Sequence, residues 1–492
     1  MKLRLDMTGG RGMGMIANTA APKGVELRYD FQVRVRSRGE EQWQMLSCYQ
    51  VWVDMHEKRA ASMACFDFSG EAEVEITCPS LYYIYQVDIR PLSAGIKAEY
   101  DSKVIRFTLH RPRKLSIEVN GERFHNLHLF AGALQENIPD PDSESTLFLP
   151  GRQGTAALYR MDELLSGLKA MPEERTVYFG PGLHYLEECT MQIPSNTNVY
   201  LAAGAVLVGS LIVNRAENIR IFGRGCLLLS SFERFTGLNA IRISHGKNII
   251  IEGIHLLNPP HYSIYVGGTE KIRIENITSF SCEGWSDGID IMSSRDVTVQ
   301  DCFLRTSDDC IAVYGRRWDY NGDTRNVRVT GCTLWADVAH PTNMGTHGDY
   351  EHEGNILEDI CFEDLDILEH REHQADYLGC MAINAGDKNT VRNIRYENIR
   401  IEPFVHGKIL DIQVKCNPAY NPAPGKRIEH IILKDIDYMG QGEVRSCVRG
   451  YSEEYQVADV KIENLSIRGR RAESLEEAGI DVGPFAENVR IC

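Results

Sequence analysis

From Thr176 onward the chain repeats one short pattern of polar and apolar positions: Asn, Asp or Lys, then β-branched residues alternating with polar ones, then Gly, Asn or Asp. It is seen at residues 218–221, 248–253, 271–276, 296–301, 326–331, 393–398 and 459–464. The copies begin roughly 20–35 residues apart and have no helical pattern between them, which is the signature of a β-solenoid. The predicted architecture is a right-handed parallel β-helix of about ten coils, with equivalent residues of neighbouring coils ~4.8 Å apart. A β-propeller would need ~40–50 residues per blade and tight hairpins, which this spacing does not supply. Ahead of the repeat, period-two alternation at 26–35, 45–53, 73–76, 82–89, 104–109 and 115–119 predicts strands of an antiparallel sandwich. The acidic, Pro-containing stretch 137–145 (NIPDPDSES) reads as its end, and a helix over 161–171 is placed to cap the first coil. The chain is therefore read as all-β, with a sandwich at 1–145 and a β-helix domain at 146–492.

Composition narrows what such a solenoid meets. Of 492 residues, 43% are hydrophobic and 25% charged, ordinary for a globular protein, and no apolar run approaches the ~20 residues of a membrane span. With 53 basic against 69 acidic residues, a net charge of −16 and no basic block, nucleic acid is excluded as an expected partner. Near the N-terminus only the stretch 13–17, broken by Gly14, is apolar, too little for the core of a secretory signal; the expectation is a cytoplasmic protein. Fourteen Cys, spread along the chain without a CxxC pair, are expected as reduced thiols. Cys282, Cys302, Cys310, Cys332, Cys361 and Cys380 fall inside the coils, where stacking of small buried side chains accounts for them.

The chemistry is concentrated in Ser286-Asp287-Gly288-Ile289-Asp290 and Ser307-Asp308-Asp309-Cys310-Ile311. If Ile289 and Ile291 occupy the inward positions that Ile311 and Val313 take 22 residues later, Asp287 stacks beside Asp309 and Asp308 points elsewhere. Like charges one coil apart cost stability, so paired Asp motifs in register point to function. As single motifs, Asp-Gly and Asp-Asp would also serve as coil-corner turns. Glycoside hydrolysis needs a protonated carboxyl for the leaving oxygen and a carboxylate for the attacking water, and crowding raises at least one pKa to supply the acid. Arg316, Arg317 and Trp318 follow directly and suit a groove rim that contacts sugar. His347 and His352 are read as loop residues, for which substrate contact fits better than metal binding. The segment 335–377, longer than a coil requires, is read as an insertion closing one end of the groove and favouring exo action. No nucleotide loop, metal cage or nucleophilic triad appears, so no cofactor and no metal are expected.

The strings SDGIDI and DDCIAV at this spacing resemble the signature of glycoside hydrolase family 28, the polygalacturonases and their relatives, over about residues 145–465, and residues 178–211 are similar to the first coils of the same clan. The resemblance implies Asp308 as general acid, with Asp287 and Asp309 holding the attacking water for inversion. It also implies substrate contact by His340, as counterpart of that family's Gly-His-Gly histidine, and by Lys415, which matches the Lys of its Arg-Ile-Lys, while Gln413 stands where the Arg would be and weakens the case for a galacturonate carboxylate. The front of the chain (residues 87–92 and 114–119) and the run CTLWADVAHPTNMG resemble glycoside hydrolase family 49, the dextranases and isopullulanase. The expected substrate is a pectic oligosaccharide, with α-glucan oligosaccharides as the alternative. A polysaccharide lyase and a non-catalytic carbohydrate-binding solenoid are the rival classes.

Overall fold

Alternation at period two puts Val33 and Val35 inside along the strand Gln32–Ser37, and Val74 and Ile76 inside along Ala72–Thr77. In the computed structural model, which describes residues 14–19, 21–151, 157–441 and 444–492, these strands belong to a five-stranded sheet ordered Gln44–Leu46, Gln32–Ser37, Ala72–Thr77, Val104–Leu109, Glu99–Tyr100. A second sheet runs Ile16–Asn18, Arg59–Phe68, Leu127–Ala133, Arg113–Val119, Val87–Arg90, with Tyr49–Val53 also paired to Arg59–Phe68. Val35, Ile76, Ile105 and Phe107 of the first sheet meet Phe66, Leu115, Ile117 and Leu129 of the second in one core.

Three expectations are corrected here. The sandwich is not wholly antiparallel, because Leu127–Ala133 runs parallel to Arg59–Phe68. Residues 82–89 do not form one strand: only Val87–Arg90 enters the sheet, while Tyr82, Tyr83 and Tyr85 are exposed. The cause is the Asn120 side chain, which accepts from the Tyr85 and Gln86 amides and donates to the Tyr83 carbonyl, replacing a strand ladder. Residues 45–53 divide into Gln44–Leu46 and Tyr49–Val53, which lie in different sheets.

The β-helix is a continuous 31-stranded system that starts at Thr146–Leu149. The helix Met161–Lys169 buries Leu164 and Leu168, one turn apart, and packs them into the first coils. Up the stack, Ile249, Ile272, Val297 and Val327 lie in register, as do Ile251, Ile274, Val299 and Val329, all inside. The polar residue opening each repeat turns the corner. Asn196, Asn218 and Asn248 adopt left-handed φ of 57°, 59° and 56°, a region that Asn tolerates better than most residues. Their amides form a ladder, Asn248 to Asn218 at 2.8 Å and Asn218 to Asn196 at 2.9 Å. The segment 335–377 is not one insertion. It contains the strands Thr342–Met344 and Ile356–Glu369, the second of which pairs with both Thr324–Thr330 and Thr333–Ala336 and so spans two strands' worth of coil.

The two domains share a third core, where Met63, Cys65 and Phe130 of the sandwich pack on Val206, Phe280, Phe303 and Trp335 of the β-helix. Buried charges reinforce it: Arg90 donates to Glu118 and Glu402, each at 2.6 Å, and Arg224 pairs with Asp67 at 2.8 Å.

Candidate active site

One series of stacked strands carries the site: Ile264–Gly267, Ile289–Met292, Ile311–Tyr314, Thr342–Met344, Gly379–Ala385 and Lys408–Val414. In Ile289–Met292 and Ile311–Tyr314 the isoleucines and Val313 point into the core, so Asp290 and Ala312 face outward, where Tyr265 and Asn343 are their neighbours in register. Ile289 pairs with Ile311, as the offset of the two motifs predicts, and Gly288 N–H donates to the Asp309 carbonyl at 2.8 Å. Asp287, Asp308 and Asp309 each bring an oxygen within 4.8 Å of the other two.

Their partners separate their protonation states. Asp309 is buried, which opposes its charge, but the His340 side chain and hydrogen bonds from His340 and Asn343 outweigh this and hold its pKa below the usual carboxylate value. The bonds are His340 Nδ1 at 2.6 Å, His340 N–H at 3.1 Å and Asn343 Nδ2 at 2.8 Å. His340 Nε2 lies 2.6 Å from the Tyr377 carbonyl, so both ring nitrogens donate. Burial opposes the imidazolium, yet the Asp309 charge and hydrogen bond lift its pKa to about 9. Asp308 is half-buried, and its desolvation together with the Asp309 charge raises its pKa to about 7, although it accepts the N–H groups of Trp285 at 3.1 Å and Asp309 at 3.0 Å. Asp287 lies well above the ordinary value, through burial and then the charges of Asp290, Asp308 and Asp309, and one of its oxygens has no hydrogen-bond partner. The cluster can therefore present an acid at Asp308 and a fixed anion at Asp309 in the same groove.

A fourth carboxylate, Asp290, is fully buried and is raised by burial and by Asp309. The alternation Ile-Asp-Ile was the sequence signal for its outward direction. Tyr314, Asn343, Tyr262, His261, Trp285 and Arg234 were also missed, since only the coil register or a loop brings them here.

The expected contact residues divide. His340 touches Asp309 directly. Arg317 reaches the Tyr262 hydroxyl at 3.5 Å and its charge acts on Asp287 and Asp290. Trp318 is 47% exposed, with its ring 5.4 Å from both Tyr262 and Tyr265. His347 stacks edge-on to Tyr314 at 4.9 Å and contacts the Tyr420 carbonyl at 3.1 Å; burial lowers its pKa to about 3, so it is neutral. Arg316 is a correction: it is drawn away by ion pairs to Asp349 at 3.1 Å and Glu351 at 2.8 Å. The same guanidinium occupies the carboxylate face where, with His352, a cation would otherwise sit. Lys415 and Gln413 are both buried and held on Asp411, Lys415 at 3.4 Å. The strand Lys408–Val414 is separated from Asp309's coil by two intervening strands of the series; its Leu410, Ile412 and Val414 enter the core, so Asp411 and Gln413 face outward on the same side as Asp290 and Asn343, and Lys415, just past its end, lies over the Tyr377 ring at 4.0 Å. A cavity of ≈ 820 Å³ between the domains, lined by Lys114, Arg224 and His255 among others, includes none of these carboxylates; the chemistry lies in the open groove.

The model of the family described as glycosyl hydrolases family 28 matches residues 235–479, close to half of the chain and all of the carboxylate cluster. A probable endopolygalacturonase D of Neosartorya fischeri is 27% identical over 198 residues, 39% of this chain and 36% of that protein. A probable exopolygalacturonase B of the same organism is 28% identical over 217 residues, 40% of this chain and 46% of that protein. These matches span less than half of the relatives' own length. Among solved structures, Dex49A from Penicillium minioluteum superposes with a TM-score of 0.69 at 14% identity, covering 97% of this chain and 96% of its own, so the sandwich-plus-β-helix fold is shared from end to end.

Proposed function

We infer that this chain, whose residues 235–479 belong to glycosyl hydrolases family 28, hydrolyses α-linked glycosidic bonds in pectic oligosaccharides. The observation that carries the reading is the split within one carboxylate cluster: Asp308 titrates at about 7 while Asp309 is held as an anion by His340. Asp308 protonates the leaving oxygen as the glycosidic bond breaks. Water attacks the anomeric carbon, Asp309 accepts its proton and Asp287 fixes its position; the proton gained at Asp309 then restores Asp308.

Inversion is the outcome this arrangement supports. The three carboxyls are closer, within 4.8 Å, than the ~6.5–9.5 Å common between inverting pairs. A retaining mechanism, however, needs a free ionised carboxylate as nucleophile. Both oxygens of Asp309 accept hydrogen bonds, from His340 and from Asn343, which weakens their attack on carbon while leaving a lone pair for a proton, and the raised pKa of Asp287 disfavours the carboxylate form a nucleophile needs. A water between them is the better nucleophile.

Exo action is proposed on the contacts beyond His340. Gln374 donates to the Tyr420 hydroxyl at 2.9 Å, Tyr377 packs on Tyr420 at 5.4 Å and His347 meets the Tyr420 carbonyl, so loops of successive coils close the groove at that end. The second reading, hydrolysis of α-glucan oligosaccharides, is favoured by the engagement of Lys415 and Gln413 with Asp411, which leaves neither as a free partner for a uronate carboxylate. The deciding experiment supplies oligogalacturonides, rhamnogalacturonan fragments and isomaltooligosaccharides and follows product anomers by proton NMR. Inverted products from the uronate-containing chains are expected. Cleavage confined to neutral glucosides would remove the pectic assignment, and retained configuration would remove the mechanism.

A further inference from the structure

The groove beside Asp308 is walled by aromatic rings that water reaches freely. Phe235, Trp285 and Trp318 are 70%, 53% and 47% exposed. They form a row, with Phe235 5.4 Å from Trp285, Trp285 6.4 Å from His261 and His261 5.9 Å from Trp318. All three exposed rings stand on left-handed backbone, at φ of 71°, 63° and 50°. That region is a genuine outlier for a bulky side chain and costs about 1–2 kcal/mol per residue. An exposed aromatic gains little burial to offset the cost, so folding does not explain three of them in one wall.

Arg234 gives the wall its charge. Its guanidinium carbon lies 4.7 Å from the Phe235 centroid and 4.6 Å from that of Trp285, and a Cβ at Gly284 would stand 2.8 Å from its Nη2. Its Nε is buried without a hydrogen-bond partner, and among the described residues no carboxylate comes within ion-pair distance. Arg316 and Lys415 are ion-paired, to Asp349 and Glu351 and to Asp411, while Arg317, whose Nε also lacks a partner, faces Asp287 and Asp290 and reaches the Tyr262 hydroxyl at 3.5 Å. Trp285 ties this cation to the chemistry, because its own N–H bonds Asp308. His261 adds a neutral donor: its Nδ1 accepts the Tyr262 N–H at 2.9 Å, leaving the proton on Nε2.

We propose that Arg234, Phe235 and Trp285 form a sugar-binding subsite next to Asp308 that takes a uronate residue, its ring face on the aromatic wall and its carboxylate on Arg234. The proposal rests on the hydrolase reading and adds the residues that select an acidic sugar. A bidentate guanidinium–carboxylate contact is the natural use of an Arg stacked on two rings and without a carboxylate partner.

The test compares oligogalacturonides with their methyl esters. Arg234→Gln is expected to raise KM for the free acid about 10-fold or more with kcat within twofold, and to leave the ester unchanged, whereas Trp285→Ala weakens both. An Arg234→Gln effect that is absent, or equal for acid and ester, overturns the subsite. Binding is read separately, by calorimetry on Asp308→Asn protein with and without Arg234→Gln. Acid binding that depends on Arg234 in an enzyme that releases no reducing ends from any substrate upholds the subsite and removes the hydrolase reading. Hydrolysis of the acid without any dependence on Arg234 removes the subsite alone, and failure of Asp308→Asn to bind either form also removes it.

Discussion

Asp308 and Asp309 are neighbours at one coil corner, yet they favour opposite protonation states, and the difference lies in what each touches. Asp309 meets the doubly protonated His340, while Asp308 meets two backbone N–H groups and the Asp309 charge. The proposed mechanism requires Asp308 protonated and Asp309 ionised. The rate should therefore fall as pH rises past about 7, where Asp308 loses its proton, and fall again in acid as Asp309 is protonated. Replacing His340 by Gln removes the cation that depresses the Asp309 pKa, so the acid limb of kcat/KM should move to higher pH and the profile narrow. Asp308→Asn should lower kcat by about 10²–10⁴-fold, the usual contribution of a positioned acid. An acid limb that stays in place in His340→Gln would dissociate Asp309 from the limb, and wild-type turnover in Asp308→Asn would remove it as the acid. The trio was legible because two Asp motifs share an offset with inward isoleucines. Asn343 was not, since its strand has no motif to fix its register with Ile311–Tyr314, and Tyr314, though on the motif strand, gives no sign in the sequence that its hydroxyl reaches Asp309.

At the scale of the element, the repeat was readable because each corner needs a residue that accepts left-handed φ and hydrogen-bonds the equivalent residue one coil away. Asn248 shows both properties, at φ 56° and 2.8 Å from Asn218. Asn248→Ala should cost about 1–2 kcal/mol through the disfavoured backbone and the lost amide bond, whereas Asn248→Gly, free of the backbone term, should cost less. Thermal midpoints of the two variants measure the difference; an Ala variant as stable as wild type would show that the ladder does not hold the corner. Other elements hid for stated reasons. Arg59–Phe68 buries Ala64 and Phe66 in the sandwich and Ala61, Met63 and Cys65 against the β-helix, so both faces are apolar and no alternation survives. Tyr82 and its neighbours do alternate in type, but the Asn120 amide takes their backbone groups first. Ile356–Glu369 looked like an inserted loop because its corner residue, Asp364 at φ 54°, sits within a continuous strand and carries a carboxylate in a stretch rich in Glu and Asp.

Across the whole molecule, the sandwich reaches the active site through Arg305. This side chain is completely buried, pairs with Asp337 at 2.9 Å, lies 4.0 Å over the Trp335 ring, and donates to Asn126 at 3.2 Å and His128 at 3.0 Å of the sandwich. His128 can accept that bond because burial, with the charges of Arg305 and Arg90, holds its pKa well below the ordinary value and keeps it neutral. Arg305 lies in the strand Phe303–Thr306, which leads directly into Ser307, Asp308 and Asp309. The sandwich thus fixes from behind the strand that delivers the acid. Breaking a buried pair is costly because the partner charge stays behind, while replacing both members with apolar groups of similar volume is often tolerated. Arg305→Met should therefore destabilise the protein by about 3–5 kcal/mol, and Arg305→Met combined with Asp337→Leu should recover much of that loss. The double variant still lacks the guanidinium that joins Asn126 and His128 to the strand, so its kcat should stay low even where its thermal midpoint recovers, with KM little changed. Full recovery of kcat along with stability would mean that the sandwich supports folding and has no part in placing Asp308.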